Sequence, residues 1–146
     1  MLVAPALPIP QPMPAEERKM IETLYFSREG AEHAIANLSA IPLADAVREQ
    51  VIADMLRGDD GAKLAWPRQS MLEDISAEVS NIAVPTLVIA GEADTVDPPG
   101  ALQAEVVQRI PGAMMRIVPR TGHLSPLEAP ADLAKAIRNL ASRLAA

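Results

Sequence analysis

A short apolar run in the second half of the chain constrains the fold more than any other feature. It reads Pro-Thr-Leu-Val-Ile-Ala-Gly over residues 85–91 and shows no alternation of apolar with polar side chains. A half-exposed strand alternates in this way, whereas a strand of a parallel sheet is covered on both faces and does not. The run therefore predicts a buried strand of a parallel sheet.

The residues after this strand predict a second strand and two helices. Asp97-Pro98-Pro99 opens a helix that ends at Pro111-Gly112 and whose apolar face is formed by Leu102, Val106 and Ile110. A strand is predicted at residues 114–118. A last helix begins at Pro130, with its apolar stripe at Leu133, Ile137, Leu140 and Leu144. Strand, helix, strand and helix with short connections predict an α/β fold with a right-handed crossover.

The first 80 residues have a different, helical character. Residues 6–13 can form neither a helix nor a central strand, because prolines recur at Pro5, Pro8, Pro10, Pro12 and Pro14. Only a strand-sized stub, Leu2-Val3-Ala4, comes before them. A helical pattern begins at Pro14 and includes an apolar face at Ala46, Val47, Val51 and Met55. It breaks at residues 58–61, and a shorter helix is expected after Pro67.

The composition excludes several classes of protein. The net charge of −6 argues against a nucleic-acid binder, which normally carries a basic patch. The chain has no cysteine, which excludes a disulfide scaffold, a zinc–thiolate site and a cysteine nucleophile, and favours a cytoplasmic location. No apolar run approaches the roughly 20 residues that a membrane span needs. The first residues lack the basic start of a signal peptide.

Two polar segments follow the predicted strands and contain the candidate chemistry. Residues 91–97 follow the first strand and include Asp94, and residues 119–125 follow the second and include His123. Neighbouring parallel strands place both segments at the same edge of the sheet, where open α/β sheets gather their functional residues. Asp94 and His123 can therefore meet as the acid and base of a catalytic triad. Taken singly, each residue also fits a structural role in its loop.

These segments resemble the C-terminal part of the α/β-hydrolase fold family, most closely its esterases, haloperoxidase-like enzymes and lactonases. The resemblance rests on the strand and loop at residues 84–94, on Arg109-Ile110-Pro111-Gly112-Ala113, on Gly122-His123 and on Glu128-Ala129-Pro130. It implies that Asp94 is the catalytic acid and that His123 is the general base. No cofactor is implied, and a metal site is not expected, because the two histidines show no ligand spacing.

The same resemblance divides the chain into three parts. Residues 1–9 match the strand and exit loop that follow the nucleophile helix, residues 10–80 match an inserted helical cap, and residues 81–146 match the C-terminal βαβα part of the core. Within the cap, Trp66, Met55 and Met71 are candidates for binding the substrate. Packing inside the cap is the alternative role for each of them.

The family's nucleophile is the residue that this sequence lacks. A serine in a G-x-S-x-G turn supplies it, and none of the seven serines of this chain stands in that pattern. Ser125 lies two residues after His123, but in a stretch where the family has ordinary loop residues. The resemblance thus implies a serine hydrolase that acts on an ester, a lactone or a similar carbonyl compound, with its nucleophile outside this chain. The alternative is a non-catalytic remnant or truncated product that self-associates or binds a partner.

A third function, a metal-dependent or nucleotide-binding module, is disfavoured because no glycine-rich phosphate loop follows Gly91 or Gly122. The number of strands leads to a further expectation. Three parallel strands leave an unpaired edge and an uncovered apolar face. We therefore expect the chain to form a homo-oligomer or to bind the polypeptide that supplies the missing half, and its only other partner to be a small-molecule substrate.

Overall fold

Three short parallel strands form the centre of the structure. The computed structural model describes residues 1–145 and contains β1 (Leu2–Val3), β2 (Leu87–Gly91) and β3 (Met114–Val118), with β2 in the middle. Leu2 lies opposite Val88, and Gly91 lies opposite Val118. Val88, Ile89 and Ala90 are completely buried although their side chains alternate between the two faces. The prediction of a parallel α/β sheet is confirmed.

Residues 15–68 contain four helices. They are α1 (Ala15–Leu24), α2 (Arg28–Leu38), α3 (Asp45–Arg57) and α4 (Asp60–Arg68). The Ser27 hydroxyl accepts a hydrogen bond from the Gly30 N–H at 3.0 Å and caps α2. The Asp59 carboxylate caps α4 by accepting from the Ala62 N–H at 3.0 Å. Single 3₁₀ turns follow at Ser70–Leu72 and Glu78–Asn81.

These helices differ from the sequence prediction at two points. Pro67 lies in the last turn of α4, because Asp59 caps a new helix directly after the break at Gly58, and only the 3₁₀ turn at Ser70–Leu72 follows it. In α3 the fully buried side chain is Ile52, which packs against α2, while Val47 is exposed. The apolar pattern on α3 is wide enough to allow either face, and contact with the neighbouring helix selects one of them.

The proline-rich segment runs between the sheet and the helices without secondary structure, as its prolines predict. It is held by backbone hydrogen bonds to the segment that follows α4. The Gln11 N–H donates to the Met71 carbonyl at 2.7 Å, and the Ile75 N–H donates to the Pro8 carbonyl at 2.9 Å. These two bonds attach the helices to the part of the chain that leads out of β1.

Helices pack on both faces of the sheet. On one face, α5 (Pro99–Leu102) continues as a π-helical turn (Gln103–Val107). The predicted apolar residues of this helix, Leu102, Val106 and Ile110, are buried against β2. The short helix α6 (Ser125–Glu128) leads into α7 (Pro130–Leu144), which covers the other face. Within residues 1–145, no helix combines the length and the apolar character needed to cross a membrane.

The buried stripe of α7 is narrower than its sequence pattern indicates. Leu133 and Ala136 pack against Ile89 and Val118, but Ile137 is 51% exposed. Successive residues of a helix point about 100° apart, so a packing line through Leu133 and Ala136 leaves Ile137 beside it. The apolar stripe of α7 thus extends beyond the surface that the three strands cover.

Candidate active site

The loops after β2 and β3 lie side by side at one edge of the sheet. The Glu92 N–H donates to the Val118 carbonyl at 2.9 Å, and the Ala93 N–H donates to the Thr121 carbonyl at 2.9 Å. At the end of β2, a Cβ atom on Gly91 would lie 2.4 Å from the carbonyl oxygens of Thr121 and Gly122. Only glycine permits this approach, so the sequence itself allows the two loops to touch.

Asp94 and His123 meet where these loops join. The Nδ1 atom of His123 lies 3.0 Å from Oδ2 of Asp94. The other carboxylate oxygen of Asp94 accepts hydrogen bonds from the backbone N–H groups of Val96 at 2.9 Å and Asp97 at 3.1 Å. The Asp94 side chain is completely buried, whereas that of His123 is 26% exposed. The carboxylate is therefore fixed by its own loop, and the imidazole remains accessible.

This arrangement defines the proton chemistry of the histidine. An ionised carboxylate can only accept hydrogen bonds, so Asp94 holds His123 in the tautomer that carries its proton on Nδ1. The Nε2 atom is then free to accept a proton from a neighbouring group. The buried carboxylate also stabilises the imidazolium that forms when Nε2 is protonated.

A second buried carboxylate, Asp97, lies beside the pair and was not singled out from the sequence. It is only 2% exposed, and its Oδ2 atom is 4.0 Å from Nδ1 of His123. The pKa of Asp97 is raised overall, chiefly by burial and also by the nearby Asp94 carboxylate. The His123 ring and a hydrogen bond from the Leu7 backbone oppose this increase. Asp97 precedes Pro98-Pro99, a position that is typical of a helix start. Nothing in that sequence pattern indicates that the Asp97 side chain is buried.

The substrate-binding candidates separate into two groups. A cavity of about 600 Å³ lies between the helices and the Asp94 loop, and Trp66 and Met71 both line it, as do Thr95 and Val96. Met71 is buried and Trp66 is 40% exposed. Met55 does not line this cavity. It packs against the cluster that α2 and α3 bury between them.

Ser125 does not have the surroundings of a nucleophile. Ser125 begins α6 and is completely buried, and its hydroxyl has no hydrogen-bond partner among the residues that the structure describes. An activated serine must be exposed beside the base, and this one is enclosed. Over residues 1–145, no three histidine, aspartate or glutamate side chains are close enough together to hold a metal ion.

Known proteins resemble this chain in structure. No protein-family model and no curated protein sequence matches it. An esterase from Exiguobacterium antarcticum matches with a TM-score of 0.80 and 18% identity, over 99% of this chain and 56% of that one. A thermophilic esterase from Thermogutta terrifontis matches with a TM-score of 0.73 and 26% identity, over 97% of this chain and 54% of that one.

A bromoperoxidase from Bacillus anthracis is similar with a TM-score of 0.79 and 10% identity, over 95% of this chain and 55% of that one. The chain thus spans about half the length of the solved structures that it matches. The matched structures agree with the parallel sheet and its flanking helices. The chain therefore has the α/β-hydrolase fold, of which it spans about half.

Proposed function

We propose that this chain supplies the acid and the base of a serine-hydrolase triad that acts on an ester or lactone carbonyl. The observation that supports the proposal best is the Asp94–His123 pair, with 3.0 Å between Nδ1 and Oδ2 at the carboxyl edge of a parallel sheet. The two loops that form this pair are the two in which the sequence resembles the family's acid and base. Two of the matched solved structures are described as esterases.

The proposed reaction is acyl transfer through His123. As a serine oxygen attacks the carbonyl carbon, Nε2 takes the serine proton, and the resulting imidazolium is stabilised by Asp94. Collapse of the tetrahedral intermediate breaks the bond to the leaving oxygen, which receives that proton. Water then attacks the acyl-enzyme while Nε2 takes one of its protons. Collapse of the second tetrahedral intermediate breaks the bond to the serine oxygen, which receives that proton, and the acid is released.

We propose that the nucleophilic serine lies outside residues 1–146. None of the seven serines has the G-x-S-x-G pattern, and Ser125 is enclosed. The matched structures are about twice as long as this chain, which leaves room for such a segment. The absence of the pattern also favours the alternative, a non-catalytic hydrolase remnant that persists by binding a copy of itself or another chain.

The cavity beside Thr95 and Val96 supports a small, largely apolar substrate. Its walls are mainly aliphatic and aromatic, with Trp66 contributed by α4 and Met71 by the turn at Ser70–Leu72, and Glu17 is the one carboxylate among the residues that line it. Such walls suit an uncharged ester or lactone, since burying an unpaired charge against them would be costly. We propose that residues 10–80 act as the cap over this substrate.

Kinetics on the full-length protein that contains this chain test the proposal. His123→Ala and Asp94→Asn should each lower kcat for a short-chain nitrophenyl ester by about 10⁴, as the loss of triad members does elsewhere. His33→Ala is the matched control, because His33 is an exposed histidine of α2 and its loss should leave kcat unchanged. A His123→Ala enzyme with a wild-type rate would exclude His123 as the base.

A further inference from the structure

Glu128 joins two parts of the chain that are far apart in sequence. Its Oε2 atom accepts a hydrogen bond from the Gly122 N–H at 3.0 Å and another from the Ala40 N–H at 2.8 Å. Gly122 directly precedes His123, whereas Ala40 lies in the connection between α2 and α3. One carboxylate oxygen thus links the helices to the loop that carries the proposed base.

Direct backbone contacts reinforce this link. The His123 N–H donates to the Leu38 carbonyl at 2.8 Å, and the Leu124 N–H lies 3.4 Å from the same oxygen. A Cβ atom on Gly122 would lie 2.7 Å from both the Ala40 nitrogen and the Leu38 oxygen. The backbones of residues 38–40 and 122–124 are therefore packed directly against each other.

The two members of the catalytic pair are held from different sides. Asp94 is fixed by N–H groups of its own loop, as described above. The backbone of His123 is fixed instead by the end of α2, and Glu128 is the side chain that bonds to both segments. A shift of the His123 backbone of about 1 Å would lengthen the 3.0 Å contact between Nδ1 and Oδ2 beyond hydrogen-bond range.

We propose that Glu128 is a positioning residue that locks the His123 loop onto residues 38–40, so that the imidazole meets Asp94 only while the end of α2 is docked. The inference rests on the proposed function in taking His123 as the base. Movement of the helices that undocks residues 38–40 then disorients the base. The end of α2 thereby becomes part of the active-site scaffold as well as part of the cavity wall.

Three variants distinguish the effect of the length of the Glu128 side chain from the effect of its charge. Glu128→Gln keeps the length of the side chain and an oxygen that can accept both bonds, but it removes the charge. Glu128→Asp keeps the charge but is one methylene shorter, so it cannot span both N–H groups. Glu128→Ala removes both properties. The matched control is Glu92→Ala, because Glu92 is an exposed carboxylate that also accepts a backbone N–H, from Arg120 at 3.0 Å.

The experiment is solution NMR on the full-length protein that contains this chain, with the low-field Nδ1 proton of His123 as the reporter of its bond to Asp94. Glu128→Ala and Glu128→Asp should lose this resonance and speed amide exchange at both Ala40 and Gly122 by about 10-fold, the effect of losing a hydrogen bond to a charged group. Glu128→Gln and Glu92→Ala should keep the resonance. A purely structural role for Glu128 would leave the resonance unchanged in all variants.

Retention of the His123 resonance in a folded Glu128→Ala protein would overturn the proposal. If Glu128→Ala does not fold, the other two variants decide. Loss of the His123 resonance in Glu128→Gln, together with its retention in Glu128→Asp, would show that the charge and not the length of the side chain is required. That result would also contradict the proposal. Because the readout needs no turnover, a failure of the proposed hydrolase function would leave this result standing.

Discussion

Asp97 shows how a single residue at this site can oppose the stability of the fold. Its carboxylate is buried, and one of its oxygens has no hydrogen-bond partner among residues 1–145. Burying an incompletely bonded carboxylate favours its neutral form. Burial accordingly raises the pKa of Asp97 above its ordinary value of 3.8, with the carboxylate of Asp94 adding to the increase and His123 opposing it.

This direction predicts how Asp97→Asn changes stability with pH. The folded protein holds the Asp97 proton more tightly than the unfolded chain does, so the contribution of this group to stability falls as pH rises from 3.8 through the raised pKa. Asparagine is neutral throughout. We expect Asp97→Asn to be more stable than wild type at pH 7, by about 1 kcal/mol. The gain should vanish below the ordinary pKa.

Urea unfolding at a series of pH values measures this difference. Asp97→Asn retains the backbone N–H that donates to Asp94, so the variant isolates the charge of Asp97. A variant less stable than wild type at pH 7 would show that the attraction between Asp97 and His123 outweighs the cost of burial.

The sequence was informative about some residues of this site and not about others. Asp94 and His123 follow strands, and the parallel order of the strands is enough to bring them to one edge. Glu128 and Asp97 depend on packing between segments that are distant along the chain. The partner of Glu128 at Ala40 is 88 residues away, and no local pattern encodes such a contact.

The contact between α1 and α2 depends on Gly30, a glycine inside α2. A Cβ atom on Gly30 would lie 2.3 Å from the Leu24 carbonyl oxygen, which belongs to backbone and cannot rotate away. Glycine normally weakens a helix by about 1 kcal/mol relative to alanine. Here the close approach of the two helices requires it.

Gly30→Ala should therefore destabilise the protein despite its better helix propensity. Overpacking of this kind costs about 1–3 kcal/mol, which exceeds the gain from propensity. Gly100→Ala in α5 is the control, because no atom lies within 4 Å of its added Cβ and propensity alone should act. Thermal unfolding should give a lower Tm for Gly30→Ala and an unchanged or higher one for Gly100→Ala. The reverse order would contradict the observed helix contact.

The elements themselves were predictable where the pattern allowed a single structure. The run at residues 85–91 contains β2, and the strand predicted at residues 114–118 is β3. The buried faces of α3 and α7 were less well predicted. An apolar stripe on a helix limits the face that can pack. Neighbouring elements determine which residue lies at the centre of that face, and this residue is Ile52 in α3 and Ala136 in α7.

The two outer strands of the sheet have unpaired edges. No described residue pairs with the outer edge of β1 or of β3. Apolar side chains on and near β3 and α7 are also exposed, among them Met114, Ile117 and Ile137. An open parallel edge beside exposed apolar surface favours association with another chain.

We expect the chain to associate with a second copy or with the polypeptide that carries the nucleophile. Sedimentation velocity over a range of concentrations should show a species heavier than the 15.5 kDa monomer. A charged substitution at the β3 edge, Ile117→Lys, should shift that species toward monomer, and Val47→Lys on exposed α3 is the control. A stable monomer at every concentration would contradict this expectation.

We propose that Asp94 and His123 activate a serine outside residues 1–146. Labelling of the full-length protein with a fluorophosphonate, followed by peptide mapping, identifies that serine. We expect one labelled serine, located outside residues 1–146, and loss of that label in His123→Ala but not in His33→Ala. A label on Ser125, a label that does not depend on His123, or an unlabelled full-length protein would contradict it.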